Sequence, residues 1–301
     1  MMLYCGVDLG GTKIEIIVLT DDNSTLFRHR VSTPQGNYEK TLDAIVELFH
    51  LAEETVGSLN ALGIGIPGAI SQRTGRIKNA NSVCLIDQDL KADLQSRLGC
   101  KVYLSNDANC FALSEAVDGA GEGAKTVFGV IIGTGCGGGL VINGQSLDGA
   151  NFIAGEWGHN PLPWLEPNET ALPCYCGKSG CIETFLSGPG FVKHFELISG
   201  HSLSTQEIVA LVEEDSSLSD TAKQALERYC EWLAKGLASV INIFDPEVIV
   251  LGGGMSNIDY IYRRVPEIWG NWVFSDQVLT QLAKAKWGDS SGVRGAAWLT
   301  R

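Results

Sequence analysis

Nowhere does this 301-residue chain contain the ~18 unbroken apolar residues that a membrane span needs. Its N-terminus also lacks the basic segment and apolar core of a secretory signal. Positive charge is scarce too: 22 Lys and Arg stand against 35 Asp and Glu, a formal net charge of −13. A surface that follows nucleic-acid phosphates needs clustered cations, and no such run occurs, so DNA and RNA binding are not expected. Acidity does not exclude a phosphate ligand held locally by backbone N–H groups and a metal ion. Together these absences lead to the expectation of a soluble, cytoplasmic protein with neither membrane nor nucleic acid as partner.

Cysteine is not lacking, but a disulfide framework is. Nine cysteines in a chain this long without a signal segment read as reduced thiols or metal ligands. Cys5, Cys84, Cys100, Cys110, Cys136 and Cys230 are scattered among apolar neighbours and read as small core residues. The other three are clustered. With 45% hydrophobic and 19% charged residues the chain is globular, and its length suggests about two domains of ~100–200 residues.

The apolar periodicity predicts strands over 3–9, 13–20 and 25–32, a helix over 38–56 and a strand over 61–66. A helix near 89–98, a strand over 101–104 and a helix over 107–117 follow. The second half restarts similarly, with a strand at 127–133, the glycine-rich GTGCGGG, a strand at 139–143 and an Asn-Gly hairpin turn at 143–144. After an irregular stretch from 155 to 190, helices are predicted near 204–215 and 219–243, then the strand PEVIVLGGG and a helix near 257–269. Each half thus opens strand, glycine turn, strand, which predicts a duplicated α/β unit with a ligand cleft.

Two motifs mislead. GTGCGG matches the G-x-G-x-x-G fingerprint, but a strand follows where a dinucleotide site needs a helix. GKS at 177–179 has Leu172 where a P-loop needs its first glycine. Three glycine turns remain, DLGGTK at 8–13, GTGCGGG at 133–139 and LGGGMS at 251–256, each after an apolar strand end, where open α/β sheets bind ligands.

SNDANC puts Asn106 and Asp107 between the strand KVYL and a helix. Asp107 is either the helix N-cap or a carboxylate presented as general base. The stretch from His159 to Cys181 supplies one imidazole and, in C-x-C-x4-C spacing, the thiols of Cys174, Cys176 and Cys181. That is a complete tetrahedral zinc set with no open position, hence structural.

DLGGTK, NDAN, GTGCGGG, GEWGH and CYCGKSGCIE together resemble the ROK family of sugar kinases and repressors, over residues 3 to about 299. The resemblance implies an α/β fold of the duplicated actin-like, hexokinase-like ATPase (ribonuclease H-like) architecture, two lobes with a cleft between them. The small lobe would be 1–117, with a C-terminal helix at 289–301 packing back on it, and the large lobe 118–288. The implied ligands are a small-molecule sugar, ATP, Mg²⁺ and structural Zn²⁺, in a homodimer.

Residue by residue, Asp8, Gly10, Gly11, Thr12 and Lys13 are similar to the family's first phosphate turn, with Asp8 near the magnesium ion. Gly133, Thr134 and Gly135 are similar to the second, and Gly253 and Gly254 to the adenosine-contacting turn. Asn106 and Asp107 match the positions that hold the reactive sugar hydroxyl, Asp107 being the base. Glu156, His159 and Glu183 are similar to residues that hydrogen-bond sugar hydroxyls, and Gly68 and Asn81 lie in loops that touch the sugar. His159 would then bind zinc through one ring nitrogen and donate to the sugar through the other.

Within the family, IKNANS, NDANCFALSEAVDGA, AGEWGHNPLPW and GDSSGVRGAAWL resemble fructokinases of the manno(fructo)kinase type. This implies ATP-dependent phosphorylation of D-fructose at its 6-hydroxyl, with mannose or glucose as further acceptors. N-acetylglucosamine or glucose kinase is the alternative. The family's repressors carry an additional N-terminal helix-turn-helix, for which the position of Asp8 leaves no room, so a sugar-responsive repressor is not expected.

Overall fold

The computed structural model describes residues 2–80, 82–167, 169–214 and 216–301. In chain order it begins with β1 (Leu3–Leu9), β2 (Lys13–Thr20), β3 (Thr25–Ser32), α1 (Tyr38–Val56) and β4 (Ala61–Ile66). The short pair β5 (Ala69–Ile70) and β6 (Ile77–Lys78), then α2 (Leu90–Leu98), β7 (Lys101–Asn106) and α3 (Asp107–Val117) follow. Next come β8 (Thr126–Ile132), β9 (Cys136–Ile142), β10 (Gln145–Ser146), α4 (Glu183–Leu186), α5 (Gly188–Ser199) and α6 (Thr205–Ala210). The chain ends with α7 (Ser219–Phe244), β11 (Val248–Gly252), α8 (Tyr260–Ile268), β12 (Gln281–Lys284) and α9 (Ser291–Trp298).

One sheet has the order β3-β2-β1-β4-β7, antiparallel from β3 to β1 and parallel from β1 through β4 to β7. The other has the order β10-β9-β8-β11-β12, with β8, β11 and β12 parallel. The contacts divide the chain into two units, residues 1–123, 139–154 and 286–301 in the first, 124–138 and 155–285 in the second.

Alternation along β1 decides what each face of the first sheet meets. Cys5, Val7 and Leu9 join Ile14, Ile16 and Val18 of β2 and Leu62, Ile64 and Ile66 of β4 in one apolar core. The buried stripe of α1, Leu42, Ile45, Leu48, Phe49 and Ala52, completes it. That helix starts where the Asn37 side chain accepts from the Lys40 N–H, 3.0 Å away. The opposite face carries Tyr4, Gly6 and Asp8, and there the sheet receives α9. A Cβ on Gly6 would overlap the Ala297 backbone, and one on Gly63 would overlap the Ala296 carbonyl oxygen. Tyr4 and Trp298 meet ring to ring at 5.0 Å.

The first unit gathers more than the predicted small lobe of 1–117. Residues 118–123 and 139–154 join it as well. Asp118 is buried against the Arg294 guanidinium and accepts from the indole N–H of Trp287 at 3.1 Å. Gly139 lies against the carbonyl of Ala108, and Asn109 Nδ2 donates to Asp148 Oδ1 at 3.2 Å. These bonds tie both segments to α3.

Several elements differ from the sequence reading, among them β5 and β6 in a stretch that reads as loop and α4 in one that reads as irregular. β9 starts at Cys136, three residues before the strand read from 139, so Gly137 and Gly138 lie in it and not in the turn; a Cβ on Gly138 would stand 2.8 Å from the Gly155 carbonyl oxygen, and one on Gly139 2.6 Å from that of Ala108. The helix α5 begins inside the stretch read as irregular, capped by Ser187 with Pro189 in its first turn. The helix read over 204–215 ends at Ala210. The edge strand β12 is too short and polar to announce itself.

Replacing Gly295 with alanine should destabilise the protein by about 1–3 kcal/mol, because its Cβ would overlap the Cys110 carbonyl of α3 and two backbones would have to part. Gly270→Ala, with no atom within 4 Å of the added carbon, should stay within ~0.5 kcal/mol of the parent. Equal denaturation midpoints for the two variants would refute this account.

Candidate functional site

The first glycine turn is closed by its own backbone, Gly10 N–H donating to the Lys13 carbonyl at 2.9 Å. The Thr33 hydroxyl donates to the Gly10 carbonyl at 2.7 Å, and Thr33 N–H to the Thr12 carbonyl at 3.0 Å. Gly11 and Thr12 are exposed at its tip. Asp8 sits one residue inside β1, paired in register with Glu15 of β2. Gly292 of α9 lets the helix lie close to it: a Cβ there would stand 3.4 Å from Asp8 Oδ2. Burial, and then the Asp107 carboxylate, push the Asp8 carboxyl up to about 6, while Lys13 pulls it the other way.

The first unit therefore brings Asp8 and Asp107 together from strand ends that are parallel through β4. Asn106, not Asp107, is the N-cap of α3, its side chain accepting from the Asn109 N–H at 2.7 Å. This corrects the N-cap reading of Asp107, which occupies the first helical position. The Ala108 N–H donates to its Oδ1 at 2.9 Å. Asp107 is exposed at the head of α3, yet the protein packed around its carboxyl raises it above the usual carboxylate range, opposed by that N–H. Asp148, which carries no motif signal, is also raised by burial and lies within electrostatic reach of Cys110, as do Asp8 and Asp107.

In the second unit, Gly133 N–H donates to the Gly135 carbonyl at 3.0 Å, which narrows the glycine turn to Gly133, Thr134 and Gly135. Thr134 is exposed. Gly188 N–H donates to the Gly133 carbonyl at 2.8 Å, and Cys136 N–H to Glu183 Oε2 at 3.0 Å. The third turn stands beside the second: Gly253 has φ +84, and a Cβ there would lie 2.5 Å from the Ile132 carbonyl oxygen. Gly254 has open space around it.

His159, Cys174, Cys176 and Cys181 converge, with all four candidate ligand atoms within 4.8 Å of one another. Cys174 Sγ and His159 Nδ1 are 3.6 Å apart, as are Cys176 Sγ and Cys181 Sγ. Bonds of ~2.0–2.3 Å from a central zinc ion would give tetrahedral edges of roughly 3.5–3.8 Å, so the donor set fits the metal. Burial, with Cys176 and Cys174 alongside, pushes the Cys181 thiol up to about 12, a burden that a divalent cation relieves. The knuckle folds locally: Gly177, at φ +86, turns its N–H to the Cys174 carbonyl, and Cys174 N–H donates to Lys178 at 2.7 Å.

One detail departs from expectation. The second ring nitrogen of His159 is not free for a ligand, because Nε2 lies 2.8 Å from the hydroxyl of exposed Tyr175. Tyr175 was missed by the sequence reading, although its place between two metal-ligand cysteines was a signal. Glu156 is exposed at the start of the short turn of helix Trp157–His159. Gly68, at φ +89, opens the β5–β6 hairpin where a Cβ would stand 2.6 Å from the Lys78 carbonyl. Asn81 lies outside the described residues.

The sequence signature of the ROK family spans residues 4–301. The N-acetyl-D-glucosamine kinase of Haemophilus influenzae (strain 86-028NP) is 39% identical over 303 residues, covering 99% of each chain. Among solved structures, the ROK hexokinase from Thermus thermophilus matches at TM-score 0.87 and 31% identity, over 99% of this chain and 97% of its own. A ROK family glucokinase from Streptomyces griseus, solved with glucose and AMPPNP, matches at TM-score 0.75 and 27% identity, over 99% of both chains.

Metal analysis of the purified protein should give about one zinc per chain, and Cys176→Ser should lose most of it, since three ligands hold zinc far less tightly than four. Zinc content unchanged in that variant would overturn the ligand assignment. Asp8 yields a second expectation. Its folded pKa, about 6, exceeds the ordinary value of 3.8, so its ionisation begins to cost stability as the pH rises through that interval. Asp8→Asn should therefore be more stable than the parent above pH ~6, by roughly 3 kcal/mol at most, with the gain fading toward pH ~4. Denaturation of both proteins across that range measures it.

Proposed function

The chain belongs to the ROK family, and on that premise we propose that it is an ATP-dependent sugar kinase whose principal acceptor is N-acetyl-D-glucosamine, phosphorylated at the 6-hydroxyl. The observation that carries the acceptor is the 39% identity, over 99% of both chains, to a relative named for that activity. A second reading, fructose, is favoured by the stretches IKNANS, NDANCFALSEAVDGA and AGEWGHNPLPW. The glucose and AMPPNP bound by the Streptomyces griseus glucokinase support a hexose and an adenine nucleotide as the ligand classes.

In this reading Asp107 is the general base. A sugar hydroxyl is a weak nucleophile, and a carboxylate within hydrogen-bond reach takes its proton as the bond from O6 to the γ-phosphorus forms and ADP departs. Partial desolvation, which raises the Asp107 carboxyl, makes it a stronger base than a fully solvated aspartate. The Ala108 N–H on its Oδ1 fixes the side chain at the head of α3. Asn106, whose Oδ1 is occupied by the Asn109 N–H, keeps its amide N–H groups for the sugar.

The backbone N–H groups of Gly11 and Thr12, with Lys13, and those of Thr134 and Gly135, hold the phosphates, while Gly10 and Gly133, whose N–H groups donate to the Lys13 and Gly135 carbonyls, close the two turns. Gly253 and Gly254 flank the adenosine. Donors fixed in advance stabilise charge without reorganising. Asp8 is the carboxylate that would hold Mg²⁺, and the repulsion between Asp8 and Asp107 supports a cation at this place. Magnesium would supply charge neutralisation on the phosphate oxygens. Zinc, held by His159, Cys174, Cys176 and Cys181, would supply structure to the loop that carries Glu156 and Glu183. Those two residues, with His159, Gly68 and Asn81, are the proposed sugar contacts. For His159 this requires Tyr175 to yield the Nε2 position.

A coupled ADP-release assay across N-acetylglucosamine, glucose, mannose and fructose tests the proposal. The highest kcat/KM is expected for N-acetylglucosamine. A preference for fructose would select the second reading, and no turnover of any sugar would sink the kinase assignment. Asp107→Asn should lower kcat by roughly 10²- to 10⁴-fold. Its melting temperature should not fall, because Asn106 is the cap and the substitution removes a carboxylate that repels Asp8. Near-normal kcat would place the base elsewhere.

A further inference from the structure

Glu183 stands where the metal-binding knuckle ends and α4 begins, two residues after Cys181. Resemblance assigns it to the sugar alone, yet its Oε2 accepts the Cys136 N–H at 3.0 Å, directly after the turn Gly133–Gly135. Gly135 has no side chain for a related reason. Its φ is not positive, so backbone conformation does not demand glycine, but a Cβ would stand 2.7 Å from Glu183 Oε2. Gly133, by contrast, has nothing nearer its added carbon than the Gly254 nitrogen at 4.0 Å. The carboxylate thus occupies the space that a side chain at 135 would fill, and it fixes the direction in which the turn leaves for β9.

We propose that Glu183 is a positioning residue for the nucleotide: its Oε2, by holding the Cys136 N–H, sets the path of Gly133–Gly135 and so the aim of the N–H groups offered to phosphate. This rests on the kinase reading. The hydrogen bond is charge-assisted and links a side chain anchored at the knuckle to a turn that, among the described residues and outside the strand ladder, is fastened by the Gly133–Gly135 and Gly188–Gly133 bonds. A carboxylate oxygen and an amide oxygen both accept an N–H, so glutamine preserves the bond and alanine removes it.

The test is calorimetric binding of Mg-AMPPNP in the absence of sugar, with amide hydrogen exchange at Cys136 as the structural readout. E183A should weaken nucleotide binding about tenfold and lose protection at Cys136, while E183Q stays within about threefold and keeps it. G135A, whose methyl group displaces the carboxylate, should behave like E183A, and the double variant E183A/G135A should be no weaker than E183A alone. If E183A does not fold, G135A carries the same expectation with the glutamate still in the chain.

Nucleotide binding by E183A as tight as in the parent would overturn the proposal and leave Glu183 to the sugar. Equal losses in E183Q and E183A would also overturn it, by showing that charge and not the hydrogen bond is the link. A parent protein that binds no nucleotide at all would bring down the kinase reading and this inference together, an outcome distinct from either of the others.

Discussion

Backbone against backbone is the contact on which the first unit depends. The helix α9 lies on the sheet through Gly6 and Gly63, and on α3 through Gly295, at separations that no side chain could share. Because the approach is so close, Asp8 on the same sheet face is covered by Gly292, and α3, which begins at Asp107, is held against the helix that covers Asp8. Two carboxyl groups from separate strand ends are thereby kept near each other. Neither local propensity nor a single side-chain bond could hold them so.

A polar lock keeps that helix in register. Asp118 and Arg294 are both buried and paired, with Trp287 donating to Asp118 at 3.1 Å and stacked under the Arg294 guanidinium at 3.9 Å. Arg294 also donates to the Asn23 carbonyl at 3.0 Å. Glu115, fully buried, accepts from the Ala120 and Lys286 N–H groups and from the Ser291 hydroxyl. Taking two charges out of water costs about as much as their attraction returns, so the pair adds little net stability. What it contributes is a single allowed seating for α9, since any slip leaves a buried charge unpaired.

The second unit is organised by a different economy of forces. Its loop from His159 to Cys181 is held by short backbone bonds of ~1 kcal/mol each. A filled four-ligand site of the kind the donor set fits contributes far more than any of these. The arrangement reaches the glycine turn, because Glu183 follows Cys181, the last of the four candidate donors, and accepts the Cys136 N–H. The overall charge of −13 makes this local arrangement necessary for a phosphate ligand: attraction has to come from aimed N–H groups, Lys13 and a cation, since the surrounding field repels.

The sequence by itself determined the features that depend on short range. The apolar runs at 3–9 and 13–20, the α1 stripe, the Asn143–Gly144 hairpin and the set of four candidate metal donors were legible, because composition, periodicity and spacing are local properties. The family signature over 4–301 was legible in the same way. Only tertiary structure decided the rest. Gly138 read as a turn residue until the backbone packed on it was known, and Asp107 read as a possible cap until Asn106 was seen to take that bond. Tyr175 on His159 and Glu183 on Cys136 join positions 16 and 47 residues apart. A composition or a period cannot encode such pairings, because they are set by where two separately folded segments come to rest, and that is fixed by the packing of everything between them.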